Sequence, residues 1–406
     1  MGARLVQAPG LTRVAGRTSS ERAALDGQSR RIMEVFTRAG FDFIAPDILQ
    51  PADMFLDSSG EGIRQTAYVF TDPAGRELCL RPDLTVPACR YHLSHAAIPA
   101  SEARYCYCGP AFRFQAGAGD SGRAEFDQAG IEWFNAPRPA AAEAAVVKLA
   151  IDAVEAAGLR SYRVRLGDLG LFDALLRSLD MPERWRRKLR HQFWRPAAFH
   201  ALLDLLTGAQ ARARTGISGH VDAVAEGNLA AAVGHVGREL ERGGLALSGG
   251  RTVEEIATRL LEKAEDCRDR PLDRAARDRI DAYLAIEGDA SGVRAGLRRV
   301  GGDKAAFADA VGHYEARLAE LERREMAPDR FLFTAGFGRD LEYYTGLVFE
   351  IEAEVGGGRS QVAGGGRYDA LFSDIGSPVP VPAVGCAIYA ERLLAAVAAS
   401  QTALPR

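Results

Sequence analysis

Four short segments of this 406-residue chain each combine charged side chains with other hydrogen-bonding groups. The segments are RPDLT (81–85), GPAFRFQ (109–115), FDQAGIE (126–132) and GRDLEYYTG (338–346). Several of these charges fall within strand-like runs, and a buried charge is costly unless it pairs with another charge or with a polar ligand. We therefore expect the four segments to converge on each other or on one polar ligand.

A small zwitterion suits this set of side chains. An arginine can hold a carboxylate through two parallel hydrogen bonds. Asp83 and Glu132 can accept from an ammonium group or from an imidazole N–H, and Gln128 and tyrosine hydroxyls can fix the orientation of the ligand. The residues alone thus point to a binding site for an amino-acid-like molecule.

Polar groups occupy both sides of the strand that the stretch GRDLEYYTGLVFEI (338–351) predicts. A strand alternates its side chains between two faces. One face would carry Leu341, Tyr343 and Thr345, and the other would carry Asp340, Glu342 and Tyr344. The pattern is typical either of a strand that floors a polar pocket or of a half-buried strand with an ion-paired edge.

Helical and strand-like patterns must position these segments. Residues 20–39 predict a helix that ends at Gly40. The runs 104–115 and 124–135 predict two strands joined by a glycine-rich loop, and long loops of this kind often carry function.

The same patterns predict the domain organisation. Helical patterns dominate from about residue 172 to about residue 325, and strand character returns at FLFTAGFGRD. The simplest arrangement is an α+β core in two parts, residues 1–171 and 326–406, separated by a mainly helical insertion, residues 172–325.

The composition limits the function classes. A formal net charge of −3 gives the chain no general attraction to nucleic acid or membranes. It has no apolar run of membrane-spanning length and no signal-peptide core, so we expect a cytoplasmic protein. No cysteines form a C-x-x-C pair, and buried reduced thiols at Cys106 and Cys108 are favoured over a metal or redox site. We predict neither a metal nor a cofactor.

The basic stretch ERWRRKLRHQFWR (183–195) has two interpretations. Its cations and aromatic rings could follow a nucleic-acid backbone. However, Trp185, Leu189 and Phe193 recur at helical spacing, which is typical of an apolar stripe with a solvated basic face. We favour the second interpretation.

Five motifs, in the same order, resemble those of histidyl-tRNA synthetase, a class II aminoacyl-tRNA synthetase. LRPDLT resembles the segment that grips the amino group, and YCGPAFRFQ with EFDQAGIE resembles motif 2. GRDLEYYTG and GGGRYD resemble the two histidine-specific signatures, and PAVGCAIYAERLL resembles motif 3. The matches cover about residues 1–170 and 326–395 and imply a class II synthetase-like antiparallel sheet flanked by helices.

The resemblance implies that the amino end of a histidine pocket is kept. Asp83 and Thr85 would meet the α-amino group of the ligand, and Gln128 would support it. Asp83 stands where the synthetase usually has glutamate, so the carboxylate survives on a shorter side chain.

The remaining pocket residues are also implied by the resemblance. Arg113 would touch the carboxylate of the amino acid and the α-phosphate of ATP, and Arg339 matches the arginine associated with carboxyl activation. Tyr343 and Tyr344, with Glu132, would line the imidazole side.

Departures from the synthetase pattern concern ATP and tRNA. Gln115 replaces the motif 2 glutamate, so Gln115 and Arg392 would form only a vestigial nucleotide site. Tyr389 and Ala390 replace the small residues that lie against adenine, and Tyr389 would either fill the nucleotide slot or point away from it. The sequence ends soon after Arg392, and we expect no anticodon-binding domain. We expect no catalytic residues and impaired adenylation.

This profile is similar to that of the ATP phosphoribosyltransferase regulatory subunit family. The resemblance implies a non-catalytic subunit that activates the short-form catalytic subunit in the first step of histidine biosynthesis and takes part in histidine feedback. It also implies a homodimer through the motif 1 region, about residues 40–58, with free histidine as a candidate ligand and no binding of tRNA or membranes.

Two alternatives remain open on the sequence. Arg113, Arg339 and Arg392 favour a truncated synthetase paralogue that activates histidine as an ATP-dependent ligase, whereas Gln115 and Tyr389 oppose it. The basic stretch 183–195 would suit an RNA-binding regulator, which the net charge opposes.

Overall fold

The computed structural model of the protein describes residues 16–58, 66–114, 124–208, 228–243, 252–302, 304–338 and 343–402. The chain divides into two compact units. The core unit comprises Met1–Ala174 and Tyr283–Arg406, and the helical unit comprises Leu175–Ala282. The helical unit falls inside the predicted insertion, 172–325, and residues 283–325 belong to the core unit.

The core unit is built on a nine-stranded sheet with the strand order β1-β5-β6-β12-β11-β10-β7-β9-β8. Its strands are β1 (Asp42–Phe43), β5 (Ala103–Phe112), β6 (Glu125–Phe134), β7 (Arg163–Asp168), β8 (Glu287–Asp289), β9 (Phe331–Thr334), β10 (Leu347–Val355), β11 (Gly358–Arg367) and β12 (Ala383–Tyr389). The pairs from β5 through β7 are antiparallel, whereas β1–β5 and β7–β9 are parallel. A second sheet contains β2 (Leu49–Pro51), β4 (Glu77–Leu80) and β3 (Tyr68–Thr71), in that order.

Helices flank the main sheet, as predicted for this α+β fold. Those of the core unit are α1 (Ser19–Arg38), α2 (Asp53–Ser58), α3 (Thr85–His95), α4 (Pro139–Ala156), α11 (Arg294–Gly301), α12 (Ala305–Glu322), α13 (Leu371–Asp374) and α14 (Ala390–Thr402). Those of the helical unit are α6 (Glu183–Gln192), α7 (Pro196–Leu206), α8 (Leu229–Gly243) and α9 (Val253–Arg268). Two further helices, α5 (Leu169–Ser178) and α10 (Arg274–Leu284), cross the boundaries in sequence.

Helix α1 shows how local sequence fixes an element beside the sheet. Thr18 and Glu21 form a capping box that satisfies backbone N–H groups at the N-terminus of the helix. The apolar side chains at 25, 32 and 36 are buried, and Gly40 adopts a positive φ of 83° just beyond the last turn. The predicted helix over 20–39 is therefore confirmed.

The basic stretch forms helix α6 of the helical unit. Its apolar side chains Trp185 and Leu189 are buried, and Phe193, which follows the helix, is buried as well. Carboxylates of α9 neutralise part of the basic face: Lys188 lies 2.6 Å from Asp266, and Arg187 lies 2.7 Å from Glu262. The preferred interpretation, an amphipathic helix with a basic outer face, is confirmed.

The prediction of one strand over 338–351 is wrong at its start. Strand β10 begins only at Leu347, and residues 343–346 form a loop before it, while 339–342 lie outside the described residues. Distant residues hold this loop: Thr345 N–H donates to the carbonyl of Arg367 at 2.8 Å, and the carbonyl of Gly346 accepts from Leu169 N–H at 2.9 Å. These bonds replace regular strand pairing. Tyr343 and Tyr344 are both buried with ring centroids 4.8 Å apart, so they do not project to opposite faces of a strand.

Candidate ligand-binding site

A narrow polar cleft with a cavity volume of about 10 Å³ lies over the main sheet and is partly open to solvent. Its lining residues are Asp83, Thr85, Arg113, Gln128, Tyr343, Tyr344, Tyr368, Gly385, Cys386, Ala387 and Tyr389. The structure thus brings together all four polar segments found in the sequence. Of the predicted pocket residues, Glu132 lies beneath this lining, and Arg339 is outside the described residues, as is Gln115 of the vestigial nucleotide site.

Two glycines of the main sheet leave space for the side chains of Glu132 and Tyr344. Gly385 of β12 is paired with Glu132 of β6, and a Cβ atom at Gly385 would lie 1.6 Å from Oε2 of Glu132. At Gly366 of β11 a Cβ atom would approach the ring of Tyr344 to 2.9 Å. Any residue larger than glycine at either position would collide with these side chains.

The start of helix α3 forms the end of the cleft at which the α-amino group of a ligand is expected. Gln128 is buried, and its Oε1 accepts from the backbone N–H of Leu84 at 2.9 Å. Asp83 is only 1% exposed, and its Oδ1 accepts from Val86 N–H at 3.3 Å. The N–H groups and the positive end of the helix dipole stabilise a carboxylate at this position. Asp83, Thr85 and Gln128 therefore present a negative and hydrogen-bonding end, which can receive an ammonium group.

Arg81 belongs to the same segment, but its side chain hydrogen-bonds to main-chain carbonyls and does not line the cleft. Its Nε donates to the carbonyl of Pro110 at 2.7 Å, and its Nη1 donates to the carbonyl of Pro46. Desolvation by burial lowers the pKa of this guanidinium. Arg81 thus ties the segment that carries Asp83 to β5 and to the loop before β2.

Glu132 forms the base of a hydroxyl network. Its Oε1 accepts from the hydroxyl of Tyr107 at 2.8 Å, and its Oε2 accepts from the hydroxyl of Tyr368. Burial raises the pKa of Glu132 to about 7, although hydrogen bonds from Tyr368, Tyr107 and Thr85 oppose this change. Glu132 therefore orients the hydroxyl groups that surround it and lies behind Tyr368, which lines the cleft.

Three tyrosines form an aromatic wall. The ring centroids of Tyr343 and Tyr344 lie 4.8 Å apart, and the ring of Tyr368 lies 5.5 Å from Tyr343 and 6.3 Å from Tyr344. Sequence reasoning found the first two and missed Tyr368 and Tyr107. The signal for Tyr368 was its place in GGGRYD, directly after Arg367 and three glycines, two of which are closely approached by neighbouring atoms.

Arg113 supplies the positive group of the cleft. Its Nε donates to the carbonyl of Pro82 at 2.7 Å. Its Nη2 is buried and has no hydrogen-bond partner among the residues that the structure describes. Burial opposes the charge, but Tyr389, Asp83 and Tyr343 outweigh it and raise the pKa of Arg113. A buried guanidinium with an unused donor is suited to a carboxylate or phosphate oxygen.

Tyr389 lies at the Arg113 end of the cleft. Its ring is buried and faces the cleft rather than pointing away from it. The Cζ atom of Arg392 lies 4.6 Å from the centroid of the Tyr389 ring, and the ring of Phe126 lies 5.9 Å away. The exposed Arg392 also donates to the carbonyl of Gln361 at 3.5 Å.

Neither a cluster of metal ligands nor a membrane-spanning helix occurs in the described ranges. Within them, no group of three or more His, Cys, Asp or Glu side chains is arranged to hold a metal ion. Cys106 and Cys108 are free thiols, and burial raises the pKa of Cys106 to about 11, which keeps it protonated. Across the same ranges no helix combines the length and the apolar character needed to span a membrane.

Comparison with known families agrees with the geometry. A family model described as histidyl-tRNA synthetase matches residues 17–231 and 251–393. A histidyl-tRNA synthetase structure from Nostoc sp. PCC 7120 superposes with a TM-score of 0.62 at 16% identity, covering 97% of this chain and 77% of that one. A structure from Bacillus halodurans, described as an ATP phosphoribosyltransferase regulatory subunit/histidyl-tRNA synthetase, gives a TM-score of 0.68 at 20% identity, covering 97% and 84%. These likenesses confirm the class II synthetase-like fold.

Curated relatives resolve the family further. The chain is 35% identical over 368 residues to the ATP phosphoribosyltransferase regulatory subunit of Mesorhizobium japonicum, covering 89% of this chain and 95% of the relative. It is 37% identical over 351 residues to the protein of the same name from Brucella canis, covering 86% and 91%. With its synthetase-like cleft, the chain therefore belongs to the family of ATP phosphoribosyltransferase regulatory subunits, which are regulatory rather than catalytic chains.

Proposed function

We propose that the chain activates a short-form ATP phosphoribosyltransferase catalytic subunit and that free histidine, bound in the cleft, acts on this complex as feedback. The regulatory-subunit names of the curated relatives support the first part. The observation that carries the second part is the buried Nη2 of Arg113, whose donor is unused among the described residues.

Histidine matches the charges of the cleft. Its carboxylate would accept from Arg113, and its ammonium group would donate to Asp83 and Gln128 at the start of α3. Its imidazole would lie against the wall formed by Tyr343, Tyr344 and Tyr368. Each polar end of the ligand then meets a buried group of opposite character, which is the requirement for burying a zwitterion. We also propose that Arg339 binds the carboxylate of the histidine ligand as a second arginine.

Feedback requires the ligand to favour one state of the complex. Histidine can shift the catalytic subunits only by the difference between its affinities for the active and inactive arrangements, typically about 1–3 kcal/mol in allosteric proteins. Because the cleft is narrow, histidine must move its walls on binding, and a movement that one arrangement of the complex favours is the expected source of that difference.

An assay of the mixed subunits tests this function. The chain is added to a short-form catalytic subunit, and consumption of ATP is followed with phosphoribosyl pyrophosphate, with and without histidine. We expect turnover to rise when the chain is added and to fall when histidine is then supplied. The Arg113→Gln variant should still activate but should lose the response to histidine. Unchanged turnover on addition of the wild-type chain would contradict the proposal.

Self-association belongs to the same proposal. Within the predicted dimerisation region, residues 40–58, Phe43, Ile48 and Leu49 are exposed. Exposed apolar side chains close in sequence favour an interface with a second copy of the chain. Sedimentation of the purified chain would measure a dimer, and Leu49→Glu should shift it to monomer. We place the protein in the cytoplasm and propose that it binds no tRNA.

Neither alternative function gains support from the described residues. Pairing of α6 cations with α9 carboxylates removes part of the charge that an RNA backbone would need. A histidine-activating ligase would need room for ATP beside Arg113, where Tyr389 lies. Histidine-dependent exchange between ATP and pyrophosphate by the purified chain would revive the ligase.

A further inference from the structure

Two helices carry the chain between the core unit and the helical unit. Helix α5 leaves the core unit, the first part of which ends at Ala174, and α10 returns to it at Tyr283. Inside the core unit the two helices touch, because the ring of Phe172 on α5 stacks on the ring of Tyr283 with the centroids 6.0 Å apart. Both side chains are buried. The two passages of the chain therefore meet at one place in the core unit.

Asp168, the last residue of β7, hydrogen-bonds to both helices. Its Oδ1 accepts from the backbone N–H groups of Gly170 at 2.8 Å and Leu171 at 3.3 Å, in the first turn of α5. A carboxylate at a helix N-terminus satisfies free N–H groups and matches the helix dipole. The carbonyl of Asp168 accepts from the hydroxyl of Tyr283 at 3.3 Å. Asp168, Phe172 and Tyr283 together form what we term the Asp168 junction.

The loop of residues 343–346 connects the cleft to this junction. Its two tyrosines line the cleft. The carbonyl of its last residue, Gly346, accepts at 2.9 Å from the N–H of Leu169, the first residue of α5. A Cβ atom added to Gly170 would lie 3.8 Å from the Cα atom of Gly346, so the first turn of α5 packs against the loop. One loop therefore contacts the cleft at its start and α5 at its end.

A buried ion network attaches the same loop to Asp168 by a second route. Arg317 donates at 2.7 Å to Oδ2 of Asp168 and also donates to Glu143. Arg367 reaches the other oxygen of Glu143 at 3.2 Å, and its carbonyl accepts from Thr345 N–H at 2.8 Å. Because charges in this network are buried, their interaction energies depend strongly on small changes in distance. Displacement of the loop should therefore alter the position of Asp168.

We propose that the Asp168 junction couples the cleft to α5 and α10, so that a movement of loop 343–346 changes the stability of both connecting helices. This coupling rests on the proposed function for its ligand, which is histidine bound against Tyr343 and Tyr344. A ligand shifts an equilibrium only through groups that it contacts differently in the two states, and these tyrosines belong to the loop. Binding in the cleft is thereby transmitted to the helices that lead into the helical unit.

Amide hydrogen exchange of the full chain tests the coupling without any ligand. Gly346→Ala displaces the loop, because a Cβ atom at Gly346 would lie 3.1 Å from Cδ of Arg367. Exchange in α5 and α10 should become at least about threefold faster than in the wild type, since the weakening of one hydrogen bond contributes that factor. The control is Gly358→Ala, where the nearest atom lies 4.0 Å from the added Cβ and both helices should keep the wild-type exchange rate.

Tyr283→Phe separates the responses of the two helices. It keeps the stacked ring but removes the hydroxyl that donates to Asp168. Added to Gly346→Ala, it should reduce the acceleration of exchange in α10 and leave that in α5 intact. The matched control, Tyr314→Phe, removes a buried hydroxyl that donates to the carbonyl of Ala290 at 2.7 Å, and should leave the acceleration in both helices unchanged.

Thr345→Val is a milder loop variant in case Gly346→Ala does not fold. It removes only the hydroxyl that accepts from Asp369 N–H at 3.0 Å. Faster exchange confined to the loop and β10 in a folded variant would overturn the proposal. So would an equal acceleration in α5, α10 and β5, which would indicate a general loss of stability.

Addition of histidine separates this coupling from the proposed function. Histidine at saturation should slow exchange in α5 and α10 of the wild type. Histidine that binds in calorimetry without slowing exchange in either helix would overturn the coupling and leave the histidine site standing. Absence of histidine binding would instead refute the proposed function, and exchange in the unliganded variants would still decide the coupling.

Discussion

The hydroxyl of Tyr368 donates a hydrogen bond to Oε2 of Glu132 in the protein interior beneath the cleft. Glu132 ends the motif 2 segment, and Tyr368 is the fifth residue of the signature GGGRYD near the C-terminus, so this bond joins two distant parts of the chain. Tyr107 completes the arrangement on the other carboxylate oxygen. The cleft is thus backed by one buried acid that accepts from one hydroxyl on strand β5 and from one hydroxyl in the loop after β11.

Stability should depend on pH through Glu132. Burial raises its pKa from 4.5 to about 7 in the folded chain, so the folded state holds the proton more strongly than the unfolded state. The contribution of Glu132 is present below about pH 4.5 and is lost as the pH rises to about 7. This loss amounts to roughly 2–4 kcal/mol. Urea unfolding at several pH values measures it, and Glu132→Gln should remove this part of the pH dependence. An identical dependence in both proteins would exclude Glu132 as its source.

Loss of the Tyr368 hydroxyl should weaken the same network. In Tyr368→Phe the buried carboxyl group of Glu132 loses one donor, which costs about 1–3 kcal/mol. The pKa of Glu132 should rise further, because this hydrogen bond favours the charged form. Thermal unfolding and the pH profile measure both effects. The matched control is Tyr91→Phe, at a ring that stacks on His95 and contacts Tyr105 edge-on; equal effects of the two substitutions would contradict a special role for Tyr368.

A buried ion network should stabilise the core unit near the loop formed by residues 343–346. Arg317 donates to Oε2 of Glu143 and to Oδ2 of Asp168, the latter at 2.7 Å, and Arg367 also reaches Glu143. Arg317→Leu would leave buried carboxylates without their main partner, at a cost of roughly 3–5 kcal/mol.

Urea unfolding provides the comparison for Arg317. The control is Arg298→Ala, which removes a solvent-exposed pair with Glu315. Such a surface pair contributes at most about 1 kcal/mol. Similar losses for both substitutions would mean that the Arg317 network adds little beyond a surface ion pair.

Local sequence was sufficient to predict that Asp83, Arg113 and Gln128 share one site. Each of these polar groups interrupts an apolar run and therefore needs polar partners. Local sequence was insufficient for the loop before β10. The backbone groups of Thr345 and Gly346 bond to Arg367 and Leu169, which lie elsewhere in the chain, so alternation could not reveal the loop. The same limit explains why Glu132 was expected to line the cleft: only the strand register shows that Gly385 lies directly opposite it.

Calorimetric titration of the isolated chain with histidine tests the central claim most directly. We predict saturable binding by the wild type, a loss of at least about tenfold in affinity for Arg113→Gln, and wild-type affinity for the Arg298→Ala control. Absence of saturable binding at millimolar histidine by the folded wild-type chain, or equal affinity of wild type and Arg113→Gln, would contradict the assignment of the cleft as a histidine site.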